Sequence, residues 1–168
     1  MTAADPSSPT DPTPPAVRIG HGWDRHRLGA RPPDGAGKPL VIAGVSLEHD
    51  RSPVGHSDCD VVMHAVTDAL LGALGSTGPG DIGELFPNDD PRFADAASEV
   101  FVRIAMEHVM AAGWALGNVD VTVVCEKPKL NPHKKAMRAN IAAALGCVID
   151  RVNIKGKTGE GVDAVGEG

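Results

Sequence analysis

At 168 residues, with 42% hydrophobic and 23% charged side chains, the chain is sized for one domain with a core of its own. A formal charge of -6, 3% aromatic residues and no tyrosine argue against a basic nucleic-acid surface and against a base-stacking platform. The three cysteines form no C-x-x-C pair, and no apolar run approaches the roughly 20 residues of a membrane span, so a protein of a reducing, cytoplasmic compartment is expected.

Residues 1–16 are rich in Pro, Ser, Thr and Asp, lack Arg and Lys, and read as a disordered tail rather than a signal or transit peptide. Residues 17–168 then form a single domain. Val17 to Gly20 reads as a strand running into Asp24-Arg25-His26, followed by a Gly/Pro-rich turn and a second strand from Pro39 to Val45. Segment 46–56 is a polar loop. Ser57 with Asp60 three residues on resembles a helix start, and the helix it opens runs to about Leu74. Gly75 to Asp90 holds too many breakers for regular structure. A second helix covers roughly Ala96 to Ala112 and stops at Gly113, and Asn118 to Glu126 alternates as a strand. Asn131-Pro132 predicts a third helix, with Asn as N-cap and Pro at the first helical position, ending at Gly146. Arg151 to Lys157 is a last strand. This order predicts an α/β (α+β) domain, a four-stranded mixed sheet with helices packed on one face.

The chemistry concentrates at Asp24, His26 and His64. Side chains alternate along an extended strand, so Asp24 and His26 share one side, and a carboxylate with two imidazoles is the ligand set of a catalytic zinc with one coordination position left open. On spacing alone, exposed or packed polar residues are the commoner explanation. His64, Thr67, Asp68 and Leu71 share a helix face, so Asp68 is placed to accept from a ring nitrogen of His64 or to brace a neighbouring group.

Seven separated segments, among them Gly20-His-Gly-Trp-Asp-Arg-His26, His56-Ser-Asp-Cys-Asp60, Gly80-Asp-Ile-Gly-Glu-Leu-Phe-Pro87, Glu126-Lys-Pro-Lys129 and Lys155-Gly-Lys-Thr-Gly-Glu160, closely resemble the 2-C-methyl-D-erythritol 2,4-cyclodiphosphate synthases from about Val17 onward. The resemblance implies a ferredoxin-like homotrimer with active sites between subunits, acting in the non-mevalonate route to isoprenoid precursors. It implies conversion of 4-diphosphocytidyl-2-C-methyl-D-erythritol 2-phosphate to the cyclic diphosphate with release of CMP. Zinc on Asp24, His26 and His64, and Mg2+ or Mn2+ on Glu160 with the diphosphate, are the implied cofactors. His56 and Thr158 match residues that stabilise the transition state, and Ser57 joins His56 at a helix start suited to an anion. Asp81, Ile82 and Gly83 match contacts to the ribose and methylerythritol hydroxyls, and Phe86 to Asp90 a further substrate loop. Cys125, Lys129, Leu130 and Asn131 match the cytosine pocket, and Lys157 completes the substrate contacts.

The sequence departs from the family pattern in places. Trp23 stands where Phe is usual and Arg25 where Val is usual. The ending Lys157-Thr-Gly-Glu-Gly-Val-Asp-Ala-Val-Gly-Glu167 lacks the commoner Phe and Arg, and by comparison with the family pattern the domain is expected to lack a last apolar helix. Two other functions compete with ring closure: a metal phosphohydrolase that activates water on the same zinc, and a non-catalytic module that captures cytidine nucleotides or isoprenoid diphosphates.

Overall fold

The computed structural model describes residues 17–35, 37–55, 57–87, 90–93 and 96–167. The expected N-terminal tail and His56 lie outside the described residues. In chain order the elements are β1 (Leu28–Gly29), β2 (Leu40–Ile42), β3 (Val45–Leu47), β4 (Ser52–Pro53), α1 (Val61–Leu74), α2 (Ile82–Leu85), α3 (Glu99–Ala111), β5 (Val119–Val124), α4 (Lys134–Leu145), β6 (Val152–Lys157) and α5 (Asp163–Gly166). Helices and small sheets mix, as the strand and helix periodicities imply. The ladders among the described residues are three two-stranded ones, β1 with β4, β2 with β3 and β5 with β6, and the expected four-stranded sheet is not formed among them.

The core forms where α1 packs on α3, α3 on α4, and α4 on β6. Met63, Leu71, Val102, Met137 and Ile141 lie at its centre. The parallel strands β5 and β6 turn Val123, Val152 and Ile154 inward. On their outer side Asp120 accepts from Asn153 Nδ2 at 2.8 Å and from Lys155 Nζ at 2.6 Å.

Asp60, rather than Ser57, starts α1. Its Oδ1 accepts from the N–H groups of Val62 (3.1 Å) and Met63 (3.2 Å). The same carboxylate reaches Ala43 N–H at 2.9 Å and Gly44 N–H at 2.6 Å. Burial pushes the Asp60 carboxyl up, and those backbone donors oppose the shift. The expected strand from Pro39 to Val45 is in fact a hairpin, with β2 and β3 joined through Ala43 and Gly44. Both turn residues have positive φ (51° and 70°), as a two-residue turn of matching twist requires. Alanine is strained there, and the Asp60 carboxylate that binds its N–H offsets the cost.

Two further expectations shift. Asn131–His133 is a 3-10 turn that leads into α4 rather than a cap on it, and α4 closes at Gly146 in the left-handed region (φ 64°). Segment 75–90, expected to be irregular, contains α2, whose first turn Asp81 caps by accepting Glu84 N–H at 2.8 Å.

The segment carrying Asp24 and His26 is extended but unpaired by any ladder among the described residues. From Val17 to Leu28 exposure alternates residue by residue, with Asp24 and His26 on the inner side. Gly20 and Gly22 let this segment lie directly on α1. A Cβ at Gly20 would fall 1.7 Å from Ala69 O, and one at Gly22 1.8 Å from Ala65 O. Any larger residue would lift the strand off the helix that bears His64.

Candidate metal centre

Asp24 Oδ2 lies 2.8 Å from His26 Nε2 and 3.1 Å from His64 Nδ1, and the two ring nitrogens are 3.1 Å apart. These atoms form one triangle. A tetrahedral zinc with arms of about 2.0–2.1 Å has ligand–ligand edges of about 3.3 Å, so the triangle fits one face after small outward movements. Among the described residues this is the group of His, Cys, Asp and Glu side chains placed to hold a metal ion. Asp24 Oδ1 is occupied by Arg25 N–H at 2.7 Å, which aims Oδ2 at the imidazoles. Arg25 itself points outward, its guanidinium 5.6 Å from the Trp23 ring centroid. Both departures from the family pattern therefore face away from the ligand atoms.

The electrostatics favour a cation. Burial pushes the Asp24 carboxyl up, but the flanking His26 and His64 imidazoles outweigh it and hold the group well below the usual carboxylate range. The Asp24 carboxylate, followed by the Cys59 thiol, raises His26 to about 9. Without a metal, a proton therefore neutralises the cluster.

His64 Nε2 faces two hydroxyls, Ser57 Oγ at 3.0 Å and Ser98 Oγ at 2.9 Å. Asp68, expected to accept from His64 or brace a neighbour, does the latter: its Oδ1 takes Ile82 N–H at 2.8 Å and docks α2 on α1. Ser98 was invisible in the sequence, where it falls inside the helix expected from about Ala96.

Beside the triangle opens a cavity of about 440 Å³, lined by His26, Ser57, His64, Ile82, Gly83 and Phe86 among others. All three phenylalanines of the chain meet on its wall. Phe86 stacks at 4.5 Å from Phe101 and edge-on at 5.0 Å from Phe93, and Phe101 lies 5.8 Å from the His64 ring. Sequence reasoning found Phe86 and missed the other two. Of Asp81 and Asp90, both expected to touch substrate, Asp81 caps α2 and Asp90 pairs with Arg92 at 2.6 Å.

The remaining expected residues gather in a second cavity of about 340 Å³, which shares no lining residue with the first. Cys125, Lys129, Leu130, Asn131, Lys157, Thr158 and Glu160 all line it. Cys125 N–H donates to Lys157 O at 2.9 Å, and Glu126 Oε1 holds Gly159 N–H at 2.6 Å. Thr158 Oγ1 donates to Glu160 Oε1 at 2.7 Å. Leu130, expected among the substrate contacts, is 5% exposed in the lining of this cavity.

The model of the YgbB family matches residues 17–168, which takes in both cavities. The chain belongs to the YgbB family. A 2-C-methyl-D-erythritol 2,4-cyclodiphosphate synthase of Bordetella avium is 53% identical over 149 residues, covering 89% of this chain and 86% of that one. A protein of the same name from Rhodopirellula baltica is 50% identical over 157 residues, covering 94% of this chain and 89% of its own length. A solved synthase structure in a CDP-bound form is 41% identical, with a TM-score of 0.74 over 86% of this chain and 91% of that chain. Among the described residues no helix is long and apolar enough to cross a membrane.

Proposed function

We propose that this YgbB chain closes the 2,4-cyclodiphosphate ring, acting on 4-diphosphocytidyl-2-C-methyl-D-erythritol 2-phosphate as a zinc-dependent phosphorus–oxygen lyase. An oxygen of the 2-phosphate forms a bond to the β-phosphorus while the bond from that phosphorus to the CMP oxygen breaks. No water is consumed and no protein nucleophile is needed, so the protein's task is alignment and charge neutralisation. The observation that carries this reading is the triangle of Asp24 Oδ2, His26 Nε2 and His64 Nδ1, whose two histidines line the first cavity.

Asp24, His26 and His64 would hold the zinc, which when bound supplies a Lewis acid and an open position for a phosphate oxygen. Glu160 would serve a Mg2+ or Mn2+ ion that neutralises the diphosphate. Ile82, Gly83 and Phe86 shape the space for the methylerythritol carbon skeleton. Cys125 to Asn131 take the cytosine through backbone groups, and Lys129 and Lys157 meet the phosphates. Thr158 and His56 donate to charge developing at the reacting phosphate, each worth about 3 kcal/mol at the barrier.

A substrate with cytidyl and methylerythritol ends must touch both residue sets, yet the two cavities share no lining residue. This supports a homotrimer in which the cytidine cavity of one subunit faces the metal cavity of the next. A single domain over residues 17–168, acting in the cytoplasm, completes the proposal. A phosphorus NMR time course on the cytidyl substrate with zinc and magnesium tests it: cyclic diphosphate and CMP are expected. Open phosphates would assign the phosphohydrolase, and CMP held without turnover would assign the binding module.

A further inference from the structure

We infer that Ser98 and Asp58 are positioning residues that lock His64 in the tautomer a cation needs. This rests on the metal reading above and adds to it a direction for each proton. Asp58 Oδ2 accepts Ser98 N–H at 3.0 Å, and its Oδ1 accepts Asp60 N–H at 3.1 Å and the Ser98 hydroxyl. A carboxylate only accepts, so the Ser98 proton is committed to Asp58. The Ser98 oxygen then offers only lone pairs to His64 Nε2, 2.9 Å away. Ser57 Oγ, the other neighbour of that nitrogen, accepts Cys59 N–H at 3.1 Å and has a second lone pair for a proton on Nε2. The Asp58–Ser98 pair thus draws the proton to Nε2, and in a neutral imidazole protonated there Nδ1 keeps its lone pair. Nδ1 is the atom that points at Asp24 and His26.

A second observation is independent of the triangle. Ser98 occupies the residue before α3, where a serine ordinarily turns its hydroxyl onto the helix N-terminus, yet it makes no capping bond with its side chain. The Asp58 carboxylate holds the Ser98 N–H, and the Ser98 hydroxyl is free to join Asp58 to His64. At 0% exposure, Ser98 meets no competing water.

The test uses the full chain, freed of metal with a chelator. The His64 tautomer is read from ring nitrogen-15 shifts, and Zn2+ affinity by competition with a chromophoric chelator. Wild type should show the Nε2–H form. Asp58→Asn offers amide N–H donors that turn the Ser98 hydroxyl around toward His64, so the Nδ1–H form should grow and Zn2+ affinity fall about 10- to 100-fold. Ser98→Ala leaves Asp58 with its two backbone donors and Ser57 as acceptor, so its loss should be about 10-fold, and Ser98→Thr should restore affinity. Both variants within about twofold of wild type, with the tautomer unchanged, would overturn the inference. If Asp58→Asn does not fold, Ser98→Ala decides alone. Failure of the metal reading looks different: wild type would ignore Zn2+, or His64→Ala would bind it equally well, while the tautomer measurement still judges the lock.

Discussion

The cavity beside His64 is assembled from distant stretches of chain, whereas the one beside Lys129 comes from the ends of β5 and β6 and the residues just beyond them. In the first, the imidazole of His64 is held from both ring nitrogens by residues up to 40 positions away. In the second, two short stretches meet where β5 and β6 end, Cys125 N–H on Lys157 O, and further contacts are local, such as Thr158 with Glu160. The contrast follows from the ligands each would serve. A metal requires donor atoms placed to a few tenths of an ångström, whereas phosphates and a base edge tolerate mobile cations and backbone groups. Damage should therefore be abrupt at the first cavity and graded at the second.

The largest effect is expected for His64→Ala. It removes one corner of the triangle, and zinc content measured on the purified protein should fall to background. Turnover should drop by about three orders of magnitude, the scale of losing a charge-stabilising group worth several kcal/mol, while circular dichroism stays unchanged. Full zinc stoichiometry in the variant would show that the triangle is not the metal site, and with it the contrast between the cavities would collapse.

Next in size is Gly20→Ala, which tests whether the first cavity depends on the fit of the strand to α1. The new methyl would collide with Ala69 O. Overpacking of this kind costs about 1–3 kcal/mol, so thermal unfolding should move down by several degrees, with weaker zinc binding. Gly117→Ala is the control, because a Cβ there meets nothing within 4 Å. Equal behaviour of the two variants would contradict the close packing of the segment.

Lys129→Ala sharpens the other half of the comparison. A lysine that meets phosphate equally in ground and transition states should, when lost, raise KM by about tenfold and leave kcat within a few-fold. A fall in kcat at constant KM would move Lys129 from binding into the chemical step, and the second cavity would no longer be the tolerant one.

How much of this was legible follows from the same contrast. The second cavity could be read directly, because its residues are contiguous in 125–131 and 157–160 and their order in the chain nearly matches their order in space. Asp24, His26 and His64 were legible as a ligand set, and the period-two argument held even though the strand carrying them joins no ladder among the described residues. Ser98, Phe93 and Phe101 were not legible. They reach His64 or its cavity through α3, packed on α1, and through the chain just before it, and nothing local marks them as site residues. The β2–β3 hairpin was missed for a related reason. Ala43-Gly44 lacks the usual Asn-Gly or Asp-Gly, and the carboxylate that stabilises its turn comes from Asp60, 17 residues later. Ser57 seemed the better cap only because that long-range role of Asp60 was invisible.

The smallest effect is a pH dependence confined to the metal-free protein. His26 is raised from 6.5 to about 9, so its contribution to stability is fully present below pH 6.5 and is lost as pH climbs through about 9. Asp24 shifts the other way. Its contribution is present above its ordinary value of 3.8 and is lost as acid protonates it. Together they give the chelator-treated protein a stability plateau between about pH 4 and 6.5 from this pair, with a decline on the alkaline side. A zinc ion on the triangle needs His26 unprotonated, so binding in this range expels a proton and replaces it with a stronger charge. The alkaline decline should therefore vanish in zinc-loaded protein. Unfolding temperatures of both forms from pH 6 to 9 decide the matter, because parallel curves would mean that the proton on His26 and the metal do not compete for the same place.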